Sequence, residues 1–277
     1  MSEVLRDFVP SSLMGVIEAN TRESFLTWNK WAKLELHQDA DEIWIAAEIP
    51  YFIFNLVLKA ENAAAEPGPV IDAAISRASS RRVPMGWWVG PSDPTPGMGS
   101  LLEARRFSHA ATVTGMAVDL LTLDATVSMP PGFTINEVTN PDDLETWCRI
   151  MTDVSEFPGF AKTAWLEMYQ EIGIIDNPQW RLYIGAQDDT AVSTSALFLG
   201  AGVAGIHGVT TLPEFRGRGI GQAMTHKPLL DARSRGYRVG VLYSSEMAVN
   251  IYRRLGFQEF GQGNIYVWEM PEGESTP

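Results

Sequence analysis

Two arginines and three glycines stand close together late in the chain: Arg216, Gly217, Arg218, Gly219 and Gly221, with Ile220 and Gln222 completing the segment. An apolar, β-branched run over residues 203–211 leads in, and a helical pattern leads out. Glycine lets a backbone turn tightly and approach a ligand. The first N–H groups of a helix lack intrahelical partners and sit at its positive dipole end. Strand, glycine turn and helix start together predict a cradle for an anion, above all a phosphate or diphosphate. Spacing excludes two common phosphate loops. A Walker loop ends in Gly-Lys-Ser/Thr, whereas Gln222 follows Gly221. A dinucleotide fingerprint, Gly-x-Gly-x-x-Gly, would need its third glycine at Gln222 or Met224.

The pattern that fits is Arg-x-x-Gly-x-Gly, carried by Arg216, Gly219 and Gly221 and preceded by Val209-Thr-Thr-Leu-Pro-Glu-Phe215. On these residues the chain resembles the GNAT superfamily of acyl-CoA-dependent N-acyltransferases. A second string supports this independently. Ala248, Tyr252, Gly256 and Phe257 stand where that family carries Ala-x-x-x-Tyr-x-x-x-Gly-Phe. The resemblance covers residues 132–270. It implies an α/β fold on a mixed sheet, acetyl-CoA or another short acyl-CoA as co-substrate, no metal, and a small-molecule amine as acceptor. Transfer would be direct, in a ternary complex. A noncatalytic acyl-CoA-binding or regulatory protein on the same scaffold is the alternative.

The resemblance also assigns roles. The backbone at Val209, Thr210 and Thr211 would pair with the pantetheine arm as an added strand, and an N–H there would polarise the thioester carbonyl. Amides from Arg216 to Gln222 would hold the diphosphate, with Arg216 and Arg218 either pairing with phosphate oxygens or standing as solvated charges. Tyr252 reads as the proton donor to the leaving thiolate, because a phenol with pKa near ~10 stays protonated at neutral pH. It reads equally as a helix tyrosine packed on a sheet. His207 lies two residues before the pantetheine segment. It is either a base with pKa near ~6.5 or a partly buried histidine satisfied by backbone. Glu214 is a lesser candidate for the base. Ser245 stands where relatives carry an asparagine that contacts the cofactor, so a hydroxyl would replace that contact in part.

The elements around these residues divide at the breaker-rich Ser128-Met-Pro-Pro-Gly132. Residues 1–127 read as a degenerate GNAT-like domain, or as an unrelated α/β domain with a similar element order, and residues 128–277 as the complete one. In the first half, residues 1–36 are helical in pattern, with a second aromatic run through Phe25, Trp28, Trp31 and Leu34. Strands follow at 42–48 and 51–59, a turn at 67–69, a helix at 70–80, a strand at 85–89, a loop at 90–97, a helix at 101–107 and a strand at 110–121. In this order, parallel to the second half, no Arg-x-x-Gly-x-Gly occurs. Trp87 and Trp88 read as core or as acceptor-pocket walls. Arg81, Arg82, Arg105 and Arg106 read as solvated helix ends.

In the second half, a strand at 133–138 precedes a helix capped by Asn140, and a helix spans 160–173. Strands at 180–186 and 192–199 pair through a turn at 187–190. The central strand 203–211, a helix over 219–235 with Pro228 inside it, a strand at 237–243 and a short helix ending at Gly256 come next. Residues 258–270 predict a hairpin turning at Gly261-Gln-Gly263, before a tail expected to be disordered.

Charge and cysteine content narrow the class further. Lysine and arginine number 21 against 34 acids, for a net −13. Such a body is a poor nonspecific binder of nucleic acid or anionic membrane, so Arg216 and Arg218 form a local positive spot. Cys148 is the one cysteine. It excludes an internal disulfide, suits a reducing cytoplasm and reads as a buried structural thiol. No signal peptide is read at the start, and the apolar stretch 43–58 is broken by Glu48, Pro50 and Asn55.

Overall fold

The computed structural model describes residues 3–61 and 65–270. Among them are seven α-helices and eleven strands. In chain order these are α1 (Pro10–Leu26), β1 (Leu34–Gln38), β2 (Glu42–Ala47), β3 (Leu56–Ala60), α2 (Pro67–Arg81), β4 (Met85–Val89), α3 (Met98–Glu103) and β5 (Phe107–Asp119). The second half adds β6 (Phe133–Glu137), α4 (Pro141–Val154), α5 (Gly159–Glu171), β7 (Trp180–Gln187), β8 (Thr190–Gly200) and β9 (Val203–Thr211). It ends with α6 (Ile220–Ser234), β10 (Val239–Ser245), α7 (Val249–Arg254) and β11 (Gln258–Trp268).

The chain forms two compact units that are not its two halves. The first takes the N-terminal segment to Trp28 and residues Thr114–Gly261; the second takes Asn29–Val113 and the segment from Gln262 on. Sequence reading set the boundary near Ser128. The contacts divide the chain otherwise, because α1 packs on the sheet of the first unit and the last strand continues from the first unit into the second.

In the first unit the strand order is β11-β5-β10-β9-β8-β7-β6. β6, β7, β8 and β9 are antiparallel neighbours, and β10 lies parallel to β9 after the α6 crossover. Side chains alternate across β9. Ala204 and Ile206 join Ala223, Met224 and Leu229 of α6. Val203 joins Leu13 and Ile17 of α1 together with Val239 and Val241. Leu13 and Ile17 are wholly buried, each worth about 1.5–3 kcal/mol of apolar transfer. α4 begins as predicted: the Asn140 side chain accepts from Asp143 N at 2.9 Å, Pro141 takes the first position, and Asp142 and Asp143 complement the dipole.

In the second unit the order is β1-β2-β3-β4-β11-β5. β3 and β4 are parallel across the α2 crossover, with Leu56 opposite Gly86 and Val57 opposite Trp87. Trp87 is buried with Phe107, Tyr266 and Trp268, so it belongs to the core of this unit.

Three local expectations are corrected. The aromatic run at 25–34 does not extend the first helix. α1 ends at Leu26, Thr27–Lys30 form a 3₁₀ turn, and Leu34 opens β1. Only the first part of the expected strand at 51–59 departs: Phe52–Phe54 form a 3₁₀ turn and β3 starts at Leu56. Residues 258–268 form one uninterrupted strand rather than a hairpin. The glycine at 263 answers a packing need, since a Cβ there would lie 2.3 Å from the Trp88 indole. The expected disordered tail lies outside the described residues.

Candidate functional site

The site is built where β9 and β10 separate. Their ladder pairs Ala204 with Gly240 and Gly205 with Val241. Past that point, residues 207–211 of β9 are held on the β8 side only. A bulge marks the departure. Ala196 opposes His207 and Thr194 opposes Thr210, so one β8 residue spans two on β9, Gly208 and Val209. Gly208 has φ +55°, in the left-handed region. The Thr194 hydroxyl fixes the bulge by donating to the Gly208 carbonyl at 2.9 Å. The extra residue brings Val209 onto the face that carries α6. An open strand edge is a template for an added extended chain.

Beyond β9, Pro213–Phe215 make one 3₁₀ turn, and Gly217 (φ +77°) and Gly219 (φ +83°) carry the chain into α6. Gly219 is the residue before the helix, and no side chain caps it. Among the described residues, the six backbone N–H groups of residues 217–222 have no hydrogen-bond partner; the first helical bond at this end is Ala223 N to Gly219 O at 3.1 Å. Nothing lies within 4 Å of where a Cβ on Gly217 or Gly219 would stand. Six unpaired donors at a positive helix end, in open space, make a candidate anion site.

The two arginines flank it. Arg216 Nε donates to the Thr211 carbonyl at 3.0 Å and Arg218 donates to the Glu214 carbonyl at 3.0 Å, with its guanidinium 5.2 Å from the Phe215 ring centre. Both side chains are exposed, and among the described residues neither meets a carboxylate. Their charge remains available. Glu214 is exposed and takes part through its backbone carbonyl.

Tyr252 reaches the same face from α7. It is 7% exposed and packs with Ile220 and Ala223 of α6, Leu242 of β10 and Phe257. Burial pushes its hydroxyl up to about 12, against a smaller opposite pull from the Thr225 hydroxyl. Thr225 itself donates to Gly221 O at 2.9 Å, which ties the tyrosine's neighbour to the glycine turn. Sequence reading passed over Thr225. Its one available signal was the helical spacing from Gly221, which places the hydroxyl over that carbonyl. Ser245 ends β10 and is exposed.

His207 is not gathered with Tyr252. Its ring lies on the α1 face, 5.8 Å from Trp180 and 6.2 Å from Phe198 by ring centres, with Nε2 3.3 Å from Asn20 Oδ1. Burial lowers its pKa to about 4. It is therefore neutral at pH 7 and a far weaker base than the expected ~6.5. Cys148 is buried and its thiol is pushed up by that burial and then by Glu145, which leaves it inert.

With this geometry in view, residues 201–260 match the family described as the acetyltransferase (GNAT) domain. An uncharacterized N-acetyltransferase of Methanocaldococcus jannaschii is 43% identical over 60 residues, which are 21% of this chain and 26% of that protein; the match thus spans about a quarter of the relative. Over nearly the whole length the fold is similar to two solved structures. A GCN5-related N-acetyltransferase from Kribbella flavida aligns with TM-score 0.68 at 16% identity, covering 92% of this chain and 97% of that one. A tandem GNAT protein from the clavulanic acid biosynthesis pathway, solved without AcCoA, aligns with TM-score 0.59 at 14% identity, covering 95% of each chain. The fold and the glycine cradle define a mixed α/β protein of two GNAT-like units. Residues 201–260 are thus GNAT-like in sequence, and over nearly its whole length the chain is similar in fold to GNAT structures.

Proposed function

We propose that the protein is an N-acyltransferase that moves an acetyl group from acetyl-CoA to the amine of a small molecule, by direct transfer in a ternary complex. The observation that carries this reading is the row of six unpaired amides at 217–222 beside the open edge of β9. Those amides, with Arg216 and Arg218, would hold the CoA diphosphate. Val209, Thr210 and Thr211 would pair with the pantetheine arm, and one of their N–H groups would polarise the thioester carbonyl.

The amine nitrogen then attacks that carbonyl, a C–N bond forms and the C–S bond breaks. Tyr252 supplies its hydroxyl to the departing sulfur. A phenol held near 12 stands roughly 5 kcal/mol uphill of a thiol of ordinary pKa ~8.5 as a full proton donor. Its first contribution is a hydrogen bond to the thiolate, and proton transfer follows as desolvation makes that thiolate more basic. His207 is not the base in this reading. A group at about 4 would strip an alkylammonium of pKa ~10.4 only at a cost of roughly 9 kcal/mol. The amine therefore sheds its ammonium proton to water before it attacks, and the proton its nitrogen gives up once the C–N bond has formed replaces, by way of water, the one that Tyr252 passes to the sulfur.

Two measurements test the reading. Calorimetry with CoA and acetyl-CoA should show saturable heat, and none at millimolar ligand would end it. A free-thiol assay with acetyl-CoA and putrescine, kanamycin, glucosamine and glycylglycine should show amine-dependent CoA release. Binding without release across that panel would favour a noncatalytic acyl-CoA-binding protein.

A further inference from the structure

Asn20 is 1% exposed in the middle of α1 and makes its contacts with residues almost 190 positions away. Its amide nitrogen donates to the Gly200 carbonyl at 3.0 Å and approaches the Phe198 carbonyl at 3.5 Å. A side-chain amide whose NH₂ is committed to carbonyls must present its oxygen in the other direction. That oxygen lies 3.3 Å from His207 Nε2. Two acceptors cannot share a hydrogen bond, so Nε2 carries the proton and Nδ1 holds the lone pair. Nδ1 has no partner among the described residues, and His207 as a residue is half-buried.

β9 is shaped around this contact. A Cβ on Gly205 would fall 1.9 Å from Asn20 Oδ1 and 2.8 Å from His207 Nε2. The glycine thus opens the strand where the Asn20 side chain crosses to the ring. Among the described residues nothing charged competes there. Burial alone acts on His207, Glu23 of α1 accepts from Ala201 N at 2.7 Å, and Glu18 and Arg22 act on Tyr243. Trp180 and Phe198 stand beside the ring, with centres 5.8 and 6.2 Å away. The bulge and the segment 208–211 begin at the next residue.

We propose that Asn20 is a positioning residue that locks His207 as the Nε2–H tautomer, so that Nδ1 accepts a hydrogen bond from the N–H of the incoming amine. This rests on the N-acyltransferase reading above, and it gives α1 a part in acceptor selection by the unit that holds the cradle. The contact selects acceptors that bring an N–H donor to the thioester, and it orients the nitrogen without taking its proton.

The tautomer is read directly from two-bond ¹⁵N–¹H spectra of protein labelled at histidine. The wild-type protein at pH 7 should show His207 as the pure Nε2–H form; the Nδ1–H form overturns the proposal. Asn20→Leu, which keeps the volume and removes the acceptor, should give a mixture of tautomers. With the fastest amine of the panel, it should raise the amine KM roughly tenfold, the worth of one hydrogen bond. The KM for acetyl-CoA should stay unchanged. Gly205→Ala, which displaces Asn20 without altering it, should do the same. An unchanged tautomer and an unchanged amine KM in both variants would refute the assignment. If no amine is acetylated, the transferase reading falls, and the wild-type tautomer still decides whether Asn20 locks the ring.

Discussion

The β9–α6–β10 crossover of the first unit and the β3–α2–β4 crossover of the second share one plan. Each joins two parallel strands through a helix. They differ in what the start of the helix offers. α6 opens from two left-handed glycines and presents six unpaired amides. α2 begins Pro67-Gly68-Pro69 behind Glu66, so two of its first three residues have no N–H and a carboxylate stands at the positive end. The nearby Arg105 is engaged by Asp72 at 2.8 Å.

The same contrast recurs at the next helix. Gly256 (φ +90°) follows α7, and its N–H donates to Arg253 O; Arg106 (φ +68°) follows α3, and its N–H donates to Glu103 O. Aligned on that turn, Tyr252 corresponds to Leu102, which is wholly buried. The second unit has a crossover of the same plan without the row of free amides and without the hydroxyl. The shared plan is thus maintained by packing, and the two helix starts differ at a handful of backbone positions.

The comparison can be broken at several points. The largest effect is expected at the cradle. Gly219→Val forces a β-branched residue to φ +83°, and losing two charge-assisted hydrogen bonds at about 1.5–3 kcal/mol each should weaken CoA binding by 10² to 10⁴. Calorimetry checks the affinity, and far-UV circular dichroism checks that the fold persists. Tyr252→Phe should next lower kcat by about 10², with CoA affinity unchanged. An unaltered kcat in steady-state kinetics removes Tyr252 from the chemistry.

A third effect concerns pH. His207 is held at about 4, below its unfolded value of ~6.5. A lowered pKa gives stability that is present above pH 6.5 and lost as pH falls toward 4. Relative to His207→Gln, the wild-type protein should lose about 2 kcal/mol between pH 7 and pH 5 in urea titrations. Parallel curves for the two proteins would count against the buried ring. The smallest effects sharpen the turn. Gly256→Ala should cost about 1–2 kcal/mol at its left-handed φ, whereas Arg106→Gly should be neutral or stabilising by less than about 1 kcal/mol. Thermal melts distinguish them.

Much of this was legible in the sequence where local rules act alone. Residues 203–211 form the strand their β-branched run predicted, Asn140 caps its helix, and α6 begins beside the glycines that announced it. The turn into α6 was readable because its left-handed backbone at 217 and 219 takes glycine. Where tertiary contacts decide, the reading failed. Gly261 and Gly263 looked like a turn, yet strand pairing with β4 and the Trp88 ring account for an extended chain through Gly263. The aromatic residues at 25–34 carry a helical rhythm, but Trp28 packs edge-on against Trp165 in the first unit and Trp31 against Phe54 in the second, so the chain crosses between units there. Asn20 gave no signal, since its partners are so distant in sequence. Gly205 inside a strand gave a faint one, of the kind that marks a close approach.

The central claim is that backbone amides at 217–222 grip the diphosphate of coenzyme A. Titration of ¹⁵N-glycine-labelled protein with CoA tests it most directly. The amide signals of Gly217, Gly219 and Gly221 should shift together, saturating at one CoA per chain, while Gly68 at the start of α2 stays in place. Saturable binding that leaves those three amides unmoved, or that moves Gly68 in their stead, would contradict the account.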